Sequence, residues 1–235
     1  MNTSHQTAIA QAIAGAPAPA HPEPDEAAAR GARPPRLLAI CAGPAARLRG
    51  SVAGQAVDVL SGIVKPARST LEDPVEVDFG RLGVVGDEQA DLSVHGGQDK
   101  AVYVYPVEHY VAWAQRAARA DVPFPGGAGS LGENLLVEGL LESDVWTGDR
   151  LEIGGIVLAV TTPRRPCYKL DLLLYEGAGR DMVLARQPGW YCAVVRPGKA
   201  AAGQPILQRA GSRAYTIGET HRRQYRLPPV AKEVE

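Results

Sequence analysis

The chain has 235 residues, with 25 Lys and Arg against 26 Asp and Glu and a formal net charge of −1. That length holds one sizeable core, and that balance lacks the electrostatic footprint of a nucleic-acid or anionic-membrane binder. Three cysteines without a CxxC pair give no disulfide framework and fit a reducing compartment; with no bilayer-length apolar run and no basic secretion n-region, the expected location is the cytoplasm.

Residues 1–35 are rich in Ala and Pro and read as a disordered tail. A β-rich domain is expected over 36–210, followed by a polar, mobile C-terminal tail over 211–235. Strands are predicted at Leu37–Cys41, Val57–Ile63, Val75–Val77 and Ala101–Tyr105, each bounded by Gly, Pro or Asp. Val107–Arg119 reads as the one substantial helix, with Tyr110, Val111, Ala114 and Ala118 on its apolar stripe. Asp121–Ser130 is a Pro/Gly loop and Asn134–Val137 a short strand. Arg150–Ile153 and Ile156–Thr161 flank Gly154-Gly155 and form a predicted hairpin. Its second arm is apolar on both faces, hence central, and delivers Cys167 from its C-terminal end. Further strands are expected at Gly189–Val195 and Ile206–Gln208. This pattern predicts a mainly β (α+β) fold, a closed or nearly closed β-barrel with one main helix.

Three constellations carry possible chemistry. Thr162-Pro-Arg-Arg-Pro-Cys167, followed by Lys169, sets one thiol among basic side chains on a proline-stiffened loop, a setting that favours the thiolate. Cys41 and Cys192 lie in apolar runs without such company. Arg164 is suited to clamp a phosphate. His95-Gly-Gly-Gln-Asp-Lys100 offers glycine amides and a lysine for an anion, and a histidine for acid–base work. In isolation it reads rather as a glycine turn between strands with a locally satisfied histidine. Leu131-Gly-Glu-Asn134 offers Glu133 as a general acid and Asn134 as a hydrogen-bonding group, or a plain polar turn. A nucleophilic cysteine needs a base, for which His95 and His109 are candidates. No local Cys/His cluster matches a zinc site, and no dinucleotide fingerprint is present.

Taken together, Ser61-Gly-Ile-Val-Lys-Pro66, Val85-Gly-Asp-Glu-Gln-Ala-Asp91, His95-Gly-Gly-Gln-Asp-Lys-Ala101 with Tyr103 and Tyr105, Gly132-Glu-Asn-Leu135, Gly148-Asp149, Thr162-Pro-Arg-Arg-Pro-Cys167 and Gly189-Trp-Tyr191 stand in one order. That order resembles the MOSC family, named for the C-terminal domain of molybdenum cofactor sulfurases, in its YiiM-like bacterial branch. The resemblance spans roughly Arg36 to Gln208. It implies a β-barrel holding molybdenum cofactor, with Cys167 as the thiolate on the metal and a catalytic residue. It implies that Arg164, Lys65 and the glycine turn of Gly96, Gly97 and Lys100 face the pterin phosphate. His95, Asn134 and Tyr105 match positions that look towards the pocket, His95 as a catalytic group and the other two as cofactor contacts. Pyridoxal phosphate binding attaches to the resemblance at the level of the family only.

The implied activity is reduction of N-hydroxylated bases, which detoxifies them, or of related N-oxygenated small molecules. Nothing in the chain reads as a flavin, haem or iron–sulfur site, so a separate reductase must supply the electrons. Neither nucleic acid nor membrane is an expected partner. YiiM-like proteins often continue into a three-helix domain, for which the residues after Gly211 are too few. A non-catalytic carrier of the cofactor or its sulfur is the main alternative. A barrel for another anionic ligand and a cysteine hydrolase follow. The site assignment requires Cys167, Lys65, His95 and Asn134 to converge.

Overall fold

The computed structural model describes residues 34–229 except 53 and 91–95. The expected disordered tail therefore lies almost wholly outside the described residues, and so does His95. Thirteen strands are assigned: β1 (Arg36–Cys41), β2 (Ala46–Val52), β3 (Gln55–Ser61), β4 (Ala67–Thr70), β5 (Val77–Gly80), β6 (Gly83–Val84), β7 (Val102–Pro106), β8 (Leu135–Glu138), β9 (Arg150–Ile153), β10 (Ile156–Pro163), β11 (Trp190–Arg196), β12 (Gly198–Ala200) and β13 (Ile206–Arg209). Among the described residues four α-helices accompany them: α1 (Tyr110–Arg119), α2 (Tyr168–Leu173), α3 (Ala178–Leu184) and α4 (Ile217–Gln224).

Eight strands form one sheet in the order β13-β9-β10-β11-β7-β8-β1-β4. All its pairs are antiparallel except β7 with β8, which α1 connects as a crossover. The sheet is strongly curled but open, because β4 and β13 are its two edges and do not pair with each other. The mainly β class expected from sequence holds, and the closed or nearly closed barrel is corrected to an open half-barrel. The gap is bridged where the Leu37 amide donates to the Gln204 carbonyl, the Ile206 amide to the Pro35 carbonyl and the Ala202 amide to Ser69 Oγ of β4 at 3.0 Å. A second sheet, β12-β5-β6, and the hairpin β2-β3 complete the fold.

The side-chain alternation of β7 explains the layering. Val102 and Val104 point into a core with Leu37, Leu151, Leu158, Val160 and Trp190. Tyr103 and Tyr105 point to the opposite face, under Tyr110, Trp113, Leu170 and Met182 of the helices. The predicted stripe of α1 is corrected on this point. Tyr110, Trp113 and Ala117 are buried, whereas Val111, Ala114 and Ala118 are exposed. Trp113 decides the face, since its large ring removes the most apolar area from water.

The C-terminal segment is not merely a polar tail. Thr216 and Glu219 form a reciprocal capping box that starts α4, and Ile217 and His221 are fully buried. The hairpin of β9 and β10 forms as expected, with Gly154 at φ 54° in its turn.

Candidate functional site

β10 is buried along nearly its whole length and ends at Pro163. It hands the chain to the loop 164–167, and α2 begins just after Cys167. Thr161, at the end of β10, has its hydroxyl within reach of the Tyr191 carbonyl at 2.9 Å and the Asp99 carbonyl at 2.6 Å. That contact ties the loop's base to β11 and to the short 3-10 turn Gln98–Lys100.

One pocket lies at this end of the sheet. Its walls include Lys65, Gly96, Lys100, Asn134, Arg164 and Cys167, six of the nine residues expected from sequence. They arrive from four separate stretches of chain. Two expected residues stand elsewhere. Gly97 is not in the lining; its amide donates to the Gln89 side chain at 3.2 Å. Tyr105 is fully buried beneath α1, where its oxygen accepts from Trp113 Nε1 at 2.6 Å and its hydroxyl donates to the Gln187 carbonyl at 3.0 Å. The cause is the sheet's period of two combined with the depth of the strand: Tyr103, two residues earlier, reaches the pocket, and Tyr105 reaches the core.

Cys167 is the one cysteine of the three that is not buried. Burial raises the thiol pKa of both Cys41 and Cys192 far above the ordinary value, which keeps them protonated. Arg164 is buried and turned inward. Its Nη1 donates to the Leu131 carbonyl at 2.5 Å, and its guanidinium lies 4.7 Å from the Tyr103 ring centre. Tyr191 packs against Tyr103 with ring centres 5.3 Å apart and also lines the pocket. Among the described residues Arg164 has no ion-pair partner. A buried guanidinium without a carboxylate, facing a pocket, is a ready anion site.

Lys65 and Asn134 line the pocket, but their polar groups are committed. Lys65 Nζ contacts both carboxylate oxygens of Asp87. Asn134 Nδ2 donates to Asp87 Oδ2 at 2.9 Å and to the Cys41 carbonyl at 3.1 Å, and Oδ1 accepts from the Tyr103 amide at 3.0 Å. Asn134 therefore pins β1, β7 and the Asp87 loop together. Glu133 is sealed from solvent, with its carboxylate accepting from the amides of Gly129 and Leu131 and from the Tyr110 hydroxyl, so it holds a loop. His109 is paired with buried Glu142 at 2.8 Å and does not line the pocket, so it is no base for Cys167.

Asp87, Tyr103 and Tyr191 are contributors that were not singled out as site residues. Tyr103 was legible from alternation with Val102 and Val104. Asp87 stood in the Gly86-Asp87 pair, but its role as partner of Lys65 arises across a sequence separation of 22. Gly132, at φ 82°, lets the loop carrying Asn134 press on Ile63: a Cβ there would stand 2.7 Å from Ile63 Cγ1.

Residues 91–207 match the MOSC domain family. Protein YiiM of Escherichia coli K12 is 37% identical over 158 residues, 64% of this chain and 70% of that protein. The YflK protein of Bacillus subtilis is 36% identical over 171 residues, 70% of this chain and 71% of that one. A protein named "Reductase" from Gibberella moniliformis is 34% identical over 126 residues, covering 53% of this chain but 22% of that protein. The crystal structure of YiiM from Geobacillus stearothermophilus superimposes with a TM-score of 0.61 at 29% identity, over 82% of this chain and 84% of that one.

Proposed function

Because the chain belongs to the MOSC domain family, we propose that it is an oxidoreductase that holds molybdenum cofactor at Cys167 and reduces N-hydroxylated bases or related N-oxygenated compounds. The observation that carries this reading is the pairing, in one pocket, of the single unburied thiol with a buried guanidinium that has no acidic partner among the described residues.

The residues present fit such a group. A thiolate is the soft donor that molybdenum accepts, and Arg164 offers a bidentate fork to a phosphate. Among the described residues no three His, Cys, Asp or Glu side chains gather to hold a metal, so Cys167 would be the protein's ligand and the cofactor would supply the remaining donors. When bound, the cofactor supplies two-electron redox chemistry at molybdenum. The overall reaction breaks an N–O bond: the N-hydroxy compound takes up two electrons and two protons and yields the amine and water. The electrons come from a separate reductase, since the chain carries no flavin, haem or iron–sulfur motif of its own.

The chain's own residues then have distinct tasks. Cys167 holds the metal at the pocket wall. Arg164, fixed by Tyr103 and the Leu131 carbonyl, receives the phosphate, with Gly96 and Lys100 beside it. Tyr103 and Tyr191 present ring faces to a flat substrate or pterin. Lys65, neutralised by Asp87, shapes the wall and is not a phosphate clamp. His95 is proposed as the acid–base group.

Protein purified from a cofactor-competent host tests this by molybdenum content, pterin fluorescence and turnover of an N-hydroxylated base with an artificial electron donor. Metal, pterin and turnover, all lost in Cys167→Ser, are expected. Metal binding without turnover identifies a carrier instead. Full activity in Cys167→Ser overturns the reading.

A further inference from the structure

We propose that the cleft between the 164–167 loop and α4 is a second anion site, built for a phosphate group by Arg165, Arg223, Thr220 and Gln224. It lies outside the Cys167 pocket and does not depend on the activity proposed above.

The loop itself separates the two sites. Arg164 and Arg165 are neighbours in sequence, yet Arg164 lines the Cys167 pocket and Arg165 lines a cleft with Tyr215, Thr220, Arg223 and Gln224. On α4, Thr220, Arg223 and Gln224 are spaced three and four residues apart and share one face. Ile217 and His221 take the face towards the core. The Arg223 guanidinium lies 4.0 Å from the Tyr215 ring centre, which fixes its plane at the cleft.

Two features of the cleft are unresolved by the protein alone. Arg165 and Arg223 are like charges on one cleft, and neither forms an ion pair among the described residues. Thr220 Oγ1 and Gln224 Nε2 are buried atoms without a hydrogen-bond partner. Buried polar atoms are ordinarily paired, and an unmade bond is costly. One oxyanion meets both needs: it neutralises the exposed guanidinium pair and, with the Thr220 and Gln224 side chains turned into the cleft, accepts from the amide and the hydroxyl. Two guanidinium forks, an amide and a hydroxyl offer more donors than the two oxygens of a carboxylate accept with good geometry, which favours the tetrahedral phosphate.

Nuclear magnetic resonance of the 15N-labelled full chain tests the site. The reporters are the Gln224 side-chain amide and the Thr220 backbone amide, followed during titration with inorganic phosphate and, in a parallel arm, with ADP. Saturating shifts at both reporters are expected. The double variant Arg165→Ala/Arg223→Ala should weaken the affinity about tenfold or more. Arg164→Met should leave the reporters' response intact, since that side chain serves the other pocket. Tighter binding of ADP identifies a nucleotide as the source of the phosphate, and equal binding identifies the free ion. Absence of saturating shifts with both ligands, or unchanged affinity in the double variant, overturns the proposal.

Discussion

Lys65 Nζ sits 2.5 Å from both oxygens of Asp87, and the two side chains are only 8% and 5% exposed. The pair is braced, since Asp87 also accepts from the Gly43 amide at 3.2 Å and from Asn134. Lys65 thus lines the pocket as a charge already balanced by Asp87 behind it, whereas Arg164 lines the same pocket without an ion-pair partner among the described residues.

Breaking that pair from one side should be expensive. Asp87→Ala leaves an ammonium buried without a partner, and its expected cost is about 3–5 kcal/mol in urea unfolding. Removing both charges, in Asp87→Ala with Lys65→Met, should recover much of the loss. A single-variant loss below about 1 kcal/mol would show that Lys65 escapes to solvent.

The three cysteines should differ sharply in reactivity. In the folded apoprotein, iodoacetamide is expected to modify Cys167 and spare Cys41 and Cys192, whose thiols burial both shields and keeps protonated. Peptide mapping by mass spectrometry reads this directly. Comparable labelling of Cys41 would contradict its burial at the end of β1.

Gly132 and Gly97 both have positive φ, at 82° and 79°, but differ in surroundings. A Cβ at Gly132 meets Ile63, whereas nothing lies within 4 Å of one at Gly97. Gly132→Ala should lose about 1–3 kcal/mol and lower the melting temperature, from strain and overpacking together. Gly97→Ala should lose less, from backbone strain alone. The reverse ranking would refute the packing of the 129–134 loop on Ile63.

His221 should make stability fall in mild acid. It is buried, its Nε2 meets the Val183 carbonyl at 3.1 Å, and its Nδ1 has no partner. Burial lowers its pKa below 6.5, despite an opposing pull from Glu142, while Arg186 adds to the lowering. The unfolded chain then binds the proton more tightly than the folded one. The contribution of neutral His221 is complete above pH 6.5 and is lost as pH falls from 6.5 through the folded pKa. Urea unfolding from pH 7.5 to 5 should show that slope, and His221→Leu should flatten it.

The strands that read most clearly from sequence were β1, β3, β7, β10, β11 and β13, whose apolar runs sit between Gly, Pro and polar breaks. The short edge pieces β2, β4 and β12 did not, because half-exposed strands of mixed composition carry little periodicity, and β6 is buried but only two residues long. Helix α4 escaped notice although Thr216-Ile-Gly-Glu219 is a capping-box signature, since only Ile217 and His221 mark its buried face. On α1 the alanines at Ala112, Ala114, Ala117 and Ala118 surround the helix, so only Trp113 in contact with Tyr105 settles which face is inner.

By itself the sequence determined a mainly β domain in the order of the MOSC family and singled out Cys167 on a stiff, basic loop. It also paired Arg164 with that cysteine, because residues three apart on a proline-held loop stay together whatever the rest of the chain does. The tertiary structure alone decided which of the other polar residues face the pocket with groups to spare. Lys65 and Asn134 are spent on Asp87, Tyr103 takes the place expected of Tyr105, and Arg165 turns away from Arg164 into a separate cleft. Those outcomes depend on partners tens of residues distant, and on which face of a strand the register presents. No local pattern carries that information.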